Sequence, residues 1–163
     1  AAVNQILKKN FVINVQADEP MIEREHILLL TNALLSDDVS ISTLASPFLN
    51  AKDFLDPNQV KVVLDDNNYA LYFSRAPIPF SREQYYPKVD ENFKLGFKHM
   101  GLYGYKKEFL EKFTSSQEGE LEKIEKLEQL RALQLGYRIA VKITNKVSIG
   151  VDVPADLQKI SFS

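Results

Sequence analysis

The run Phe11-Val-Ile-Asn-Val-Gln-Ala-Asp-Glu-Pro20 constrains this chain more than any other segment. It begins apolar and stops abruptly in two carboxylates and a proline. A short continuous apolar run is what a strand buried on both faces of a parallel α/β sheet requires. Ligands of such sheets bind beyond the carboxyl ends of the strands, which is where Asp18 and Glu19 stand. Hard carboxylate oxygens there suit Mg²⁺, which takes one or two protein carboxylates and leaves its other positions to water and phosphates. The same residues also read as a strand, an acidic turn and a helix start, because acidic residues and Pro favour the first helical turn. From this segment alone both readings stand.

Composition narrows the function classes. The 163 residues fit one domain, or a domain with a small lobe. A net charge of −2 gives no footing for nucleic acid or an anionic membrane surface. No apolar run approaches the roughly 18 residues of a membrane span. Cysteine is absent, which removes disulfides, thiolate nucleophiles and zinc–thiolate sites. A cytoplasmic protein is the expectation. Ala1 to Lys9 reads as the last turns of an amphipathic helix, with Val3, Ile6 and Leu7 on one side. The expected buried strand follows at once and needs neighbours on both edges. The sequence is therefore expected to begin inside a domain, with an upstream βα portion of the sheet absent from it.

Along the chain, Ile22, Ile27, Leu30 and Leu34 predict a helix to about Leu35, with Pro20 in its first turn. Val39 to Leu44 alternates as a strand. Val60–Leu64 and Tyr69–Phe73 flank Asp65-Asp-Asn-Asn68, the pattern of a β-hairpin. Ser81 to Leu95 reads as an exposed excursion. Phe97–Tyr105 predicts a strand, and Lys106–Phe113 a short helix with Tyr105, Phe109 and Phe113 at i, i+4 spacing. Leu121–Leu135 predicts one strong helix and Arg138–Thr144 a strand. A short strand at Val151-Asp152 and a helix at Pro154–Ile160 close the chain. Hairpin and excursion interrupt the αβ alternation, which predicts a small β-rich lobe inserted at about 58–105 of an otherwise single 1–163 domain.

Four clusters carry candidate chemistry. On the Leu121–Leu135 helix, Leu121, Ile124, Leu127 and Leu135 share a face, and Glu128 and Arg131 project into that sector. Glu122 and Lys126 have the spacing of an ordinary solvated pair. A carboxylate on an apolar face needs a partner or a purpose. Glu128 is either paired to Arg131 or presented to a ligand. In a strand, His99, Gly101 and Tyr103 point to one face, with the small residue leaving room between imidazole and phenol. Asp152, in Gly150-Val-Asp-Val-Pro154, is either a helix cap or a second metal carboxylate converging with Asp18. Arg75 ends a strand and could offer a guanidinium to a carboxylate or phosphate. Neither a phosphate loop nor a serine triad is present.

Taken in order, Val15-Gln-Ala-Asp-Glu-Pro-Met21, Lys61–Leu64 with Tyr69–Arg75, His99–Tyr105, Leu127-Glu-Gln-Leu-Arg131 and Gly150-Val-Asp152 resemble the 3-deoxy-manno-octulosonate (Kdo) cytidylyltransferases, the CMP-Kdo synthetase family. The resemblance runs from about Phe11 to the C-terminus. It implies an α/β nucleotidyltransferase-like sheet with helices on both faces and a β-rich dimerisation lobe. It also implies transfer of CMP from CTP to Kdo with release of pyrophosphate, Mg²⁺ as cofactor, a homodimer, and a role in lipopolysaccharide synthesis. Carried over by motif, Asp18 and Asp152 become the catalytic metal carboxylates. Gln16, Arg75, His99, Tyr103, Glu128 and Gln129 become the residues that hold Kdo. Ala17 stands where the family usually has Gly. The family's N-terminal loop P-A-R-x-x-S-T-R-x-P-x-K, which grips the CTP phosphates, has no counterpart in this sequence. The 163 residues alone are therefore expected not to bind CTP productively. Two other readings accompany this one: a cytidylyltransferase for another acid sugar of the sialic-acid type, and a non-catalytic dimerisation fragment.

Overall fold

Phe97–Lys106 (β5) is the strand on which the others assemble. The computed structural model describes residues 9–16, 22–82 and 95–146. Within them β5 pairs antiparallel with Phe11–Asn14 (β1), Ile41–Pro47 (β2) and Lys61–Leu64 (β3). β3 continues into Ala70–Ser74 (β4), and β2 pairs parallel with Ile139–Ile143 (β6). The result is a six-stranded mixed sheet of order β4-β3-β5-β2-β6, with β1 also on β5. The predicted lobe region thus adds its hairpin to this same sheet.

β1 corrects the first expectation. Where parallel neighbours were expected, its neighbour among the described residues, β5, runs antiparallel, and its own residues are only partly buried. Apolar Phe11 and Ile13 face one layer and Val12 the other. A run with both faces half-covered has the composition of a doubly buried strand, so the sequence pattern could not separate the two.

The helix Arg24–Leu34 (α1) covers one face. Leu30, Ala33 and Leu34 are buried there against Leu44, Met100, Leu102 and Ala140. Burial of a Leu of this kind stabilises by about 1.5–3 kcal/mol. Gly104 of β5 is what lets the helix approach: a Cβ there would lie 2.6 Å from Ser42 Oγ and 2.9 Å from Leu34 Cδ1. α1 begins at Arg24, later than Pro20. His26 fixes that start: its Nδ1 accepts from the Glu23 amide at 3.2 Å, and its Nε2 donates to the Lys146 carbonyl at 2.9 Å. Lys146 also pairs with Glu23 and Glu25 at 2.6 and 3.0 Å.

A short helix Ala51–Leu55 (α2) follows β2, and the opposite face carries Lys107–Ser115 (α3), Glu120–Glu125 (α4) and Gln129–Gln134 (α5) in the second half. The single helix expected over Leu121–Leu135 is in fact α4 and α5, broken where Lys126 adopts a left-handed φ of 55°. The break turns Leu127 into the core and leaves Ile124 and Leu135 exposed. It also redraws the ion pairs. Arg131 pairs with Glu122, not with Glu128: Nε lies 2.8 Å from Oε2, and Nη2 donates to Oε1 at 3.0 Å. Glu122 is therefore buried and does not form the solvated pair with Lys126. Arg131 further donates to the carbonyls of Phe113 and Ser116 and lies 4.2 Å over the Phe113 ring. Helical periodicity persists through one left-handed residue, which is why the sequence hid the break.

The hairpin tip folds back onto β6. Val141 donates to the Asn68 carbonyl at 2.8 Å, and Tyr69 bridges Ala140. The Tyr69 hydroxyl reaches Asp38 at 2.7 Å, with the Arg138 guanidinium 3.5 Å above its ring. Among the described residues no helix is long and apolar enough to cross a membrane.

Arg131→Met leaves the buried Glu122 carboxylate without its counter-charge, with the Gly119 amide still donating to it at 3.1 Å. Urea unfolding of the full-length protein is expected to show a loss of about 3–5 kcal/mol, largely recovered in Glu122→Leu/Arg131→Met. A loss below about 1 kcal/mol would place this pair among the exposed, weak ones.

Candidate functional site

The site forms where the end of β1, the middle of β5 and the start of α5 meet. Alternation in β1 sends Asn14 and then Gln16 to the face opposite α1. Alternation in β5 sends Tyr103 and Tyr105 to that same face, and Glu128, just before α5, and Gln129, its first residue, enter from the helix start. These six residues, with Ile41 and Phe113, line one small open recess.

Two buried polar groups in the recess lack partners among the described residues: the Tyr103 hydroxyl and the Gln129 side-chain amide nitrogen. A buried donor left unmade costs about 1–3 kcal/mol, so such groups mark strain or a ligand site. Burial pushes the Tyr103 phenol well above its ordinary pKa, with Tyr105 and the Glu128 carboxylate adding to it while the nearby Thr43 hydroxyl eases the shift. Tyr105 is raised too, first by burial and then by Glu128, while Asn14 eases the shift. Both phenols are therefore neutral donors. The recess holds one carboxylate and, among its described lining residues, no cation. Amides, phenols and a lone carboxylate suit a ligand rich in hydroxyls rather than a bare anion.

His99 adjoins the recess through Tyr103, ring to ring at 5.3 Å, with Phe73 edge-on behind it at 5.1 Å. Burial pulls its pKa down to about 3, so the imidazole is neutral near neutral pH. Thr43 Oγ1 lies 3.0 Å from its Nε2. The room expected over Gly101 is taken by protein: a Cβ there would meet Gln16 Oε1 at 2.7 Å. Gly101 thus seats Gln16 over β5 rather than leaving a gap for a ligand.

Of the residues singled out by sequence, Gln16, Tyr103, Glu128 and Gln129 share the recess and His99 stands beside it. Arg75 is apart from it. Its Nε donates to the Glu125 carbonyl and its Nη1 to the Pro57 carbonyl, at 2.8 and 3.1 Å. The Glu125 carboxylate meanwhile receives the Arg75 amide and the Ser74 hydroxyl. In this arrangement Arg75 cross-links β4 to α4. Asp18 and Asp152 lie outside the described residues, as do Ala17, Pro20 and the elements expected after residue 146. Sequence reading missed Asn14 and Tyr105, although each lies two residues from a residue it selected, on the same strand face.

The model of the family described as cytidylyltransferase matches residues 1–143. The chain belongs to the cytidylyltransferase family. Curated cytidylyltransferases similar to it include the 3-deoxy-manno-octulosonate cytidylyltransferase of Thermodesulfovibrio yellowstonii, 44% identical over 96% of this chain and 64% of that protein. The enzyme of the same name from Syntrophotalea carbinolica is 47% identical over 98% of this chain and 65% of that protein. Among solved structures, CMP:2-keto-3-deoxy-manno-octonic acid synthetase complexed with CTP superposes with a TM-score of 0.84 at 33% identity. That match covers 97% of this chain and 63% of the other. The expected nucleotidyltransferase-like α/β fold is thus present. The chain spans just under two thirds of the length of these relatives, at 64% and 65%.

Tyr103→Phe removes a buried hydroxyl that has no hydrogen-bond partner among the described residues. Its unfolding free energy is expected to rise by about 1 kcal/mol, read from urea unfolding without substrate. A loss of similar size would mean that the hydroxyl is already bonded in the free state.

Proposed function

We propose that the full-length protein containing this sequence transfers CMP from CTP to Kdo, releasing pyrophosphate, and so supplies an activated acid sugar for lipopolysaccharide synthesis. The observation that carries this reading is the convergence of Gln16, Tyr103, Glu128 and Gln129 in one recess with two unpartnered buried polar groups. The names of the similar cytidylyltransferases point the same way.

In the reaction, a Kdo hydroxyl oxygen attacks the α-phosphorus of CTP. A new P–O bond forms, the bond to the bridging oxygen breaks, and pyrophosphate leaves. The protein's contribution is positioning and charge management, and no protein nucleophile is needed. Gln16, Gln129 and the two phenols provide hydroxyl-directed donors and acceptors. Glu128 accepts from sugar hydroxyls and rejects a carboxylate. The recess therefore takes the polyhydroxylated part of the sugar and leaves its acid group outside.

Asp18 and Asp152 would hold Mg²⁺. Their hard oxygen donors fit that ion. In the described chain Glu23 and His26 are tied to Lys146, so described residues shortly after one aspartate's position and shortly before the other's are joined by hydrogen bonds and an ion pair. Mg²⁺ bound there would offset phosphate charge and lower the pKa of the attacking hydroxyl. A homodimer in the cytoplasm completes the proposal.

Pyrophosphate release by the full-length protein with CTP and Mg²⁺ is expected to require Kdo and to fall at least about a hundredfold in Asp18→Asn. Release with sialic acid but not Kdo would assign a different acid sugar. No release with either would overturn the reading.

A further inference from the structure

We infer that Thr43 is a positioning residue for sugar recognition: it locks the His99 imidazole as the Nε2–H tautomer and leaves Nδ1 as a pure acceptor for a hydroxyl of the bound sugar. This rests on the proposed binding of Kdo beside His99.

Hydrogen counting carries the inference. Thr43 is fully buried in β2, at the point where the register with β5 jumps from Thr43↔Tyr103 to Leu44↔Met100. The jump bulges Gly101 and Leu102 out of the ladder and turns two β5 carbonyls toward one hydroxyl. Thr43 Oγ1 lies 2.8 Å from the Leu102 carbonyl oxygen and 3.2 Å from that of Met100. It lies 3.0 Å from His99 Nε2, and the Tyr103 hydroxyl also approaches Thr43. A phenol donating there takes one lone pair, not the proton, and leaves the second lone pair for His99. A threonine hydroxyl has one proton and two lone pairs. Carbonyl oxygens only accept, so the proton goes to them. Sending it to the imidazole instead would leave two oxygens facing Oγ1 at contact distance with no proton between. His99 Nε2 must then be the donor, and its proton sits on a Thr43 lone pair. A neutral imidazole carries one N–H, so Nδ1 holds the other lone pair. Among the described residues Nδ1 has no hydrogen-bond partner.

His99 thus carries an acceptor on a ring whose centroid lies 5.3 Å from that of Tyr103, and the Tyr103 hydroxyl, with no hydrogen-bond partner among the described residues, offers a donor. A sugar hydroxyl matches that pair by donating to one and accepting from the other. A carboxylate does not, because it cannot donate to Nδ1. The bulge therefore does chemical work beyond bending β5: it supplies the two carbonyls that force the proton order.

The test uses the full-length protein labelled with ¹⁵N-histidine, with His99 assigned by its loss in His99→Asn. Long-range ¹H–¹⁵N spectra are expected to show the Nε2–H tautomer in the unsubstituted protein and a mixture, or the Nδ1–H form, in the near-isosteric Thr43→Val. Thr43→Ser keeps the hydroxyl and is expected to keep the tautomer. In kinetics, Thr43→Val is expected to raise KM for Kdo about tenfold, the weight of one hydrogen bond, with KM for CTP within about twofold. A wild-type Nδ1–H tautomer would overturn the inference, and so would Thr43→Val with both tautomer and Kdo KM unchanged. If Thr43→Val does not fold, Thr43→Ala takes its place. A protein that shows no Kdo-dependent turnover yet has the Nε2–H tautomer, lost in Thr43→Val, would refute the proposed substrate while leaving Thr43's control of His99 standing.

Discussion

A continuous row of aromatic rings organises the face of the sheet that carries the recess. It runs from Phe73 through His99, Tyr103 and Tyr105 to Phe109 and Phe113, each ring 5.1–6.0 Å from the next. Such pairs contribute about 0.5–1.5 kcal/mol each beyond their area. The row crosses from β4 to β5 and then climbs onto α3, so it ties hairpin, central strand and helix into one body. Arg131 caps its far end by lying over Phe113 and holds α4 and α5 against it through Glu122. If the row shifted, Tyr103, Tyr105 and the first turn of α5 would lose their common position.

The polar groups near this row divide into two kinds. Several that shape the scaffold are satisfied: Lys61, fully buried, donates to the Asp56 and Gln59 carbonyls, and Arg75 and His26 close links across loops. Two in the recess, on Tyr103 and Gln129, have no hydrogen-bond partner among the described residues, and outside it the same holds for Ser46 Oγ and for Arg131 Nε, which has its ion pair with Glu122. Satisfied buried groups hold a fold, while unsatisfied ones cost stability that a ligand can return. The difference separates Arg75, which has the makings of an anion clamp but is spent on carbonyls, from Glu128, which the break at Lys126 releases from Arg131 and turns toward the recess.

Much of this was legible in the sequence. The hairpin around Asp65–Asn68, the alternation of Phe97–Tyr105 and the i, i+4 aromatics after Tyr105 each follow from a local period, and each is present. Long-range pairing was not legible. The composition of Phe11–Val15 could not reveal that its neighbour would be antiparallel. Nor could the heptad-like leucines of Leu121–Leu135 reveal a left-handed residue in their midst. The site residues on β5 and α5 followed from chain order and resemblance. Thr43 did not, because its importance arises from a register jump against a strand more than fifty residues later in the chain.

The central claim is that the hydroxyl-rich part of an acid sugar sits between β1, β5 and α5. The most direct measurement is a crystal structure of the full-length protein with Kdo bound. Sugar hydroxyls within hydrogen-bond distance of Tyr103, Glu128 and Gln129 are predicted, with Tyr103 and Gln129 no longer unpartnered. Kdo bound elsewhere, with those two groups still unpaired, would contradict the account.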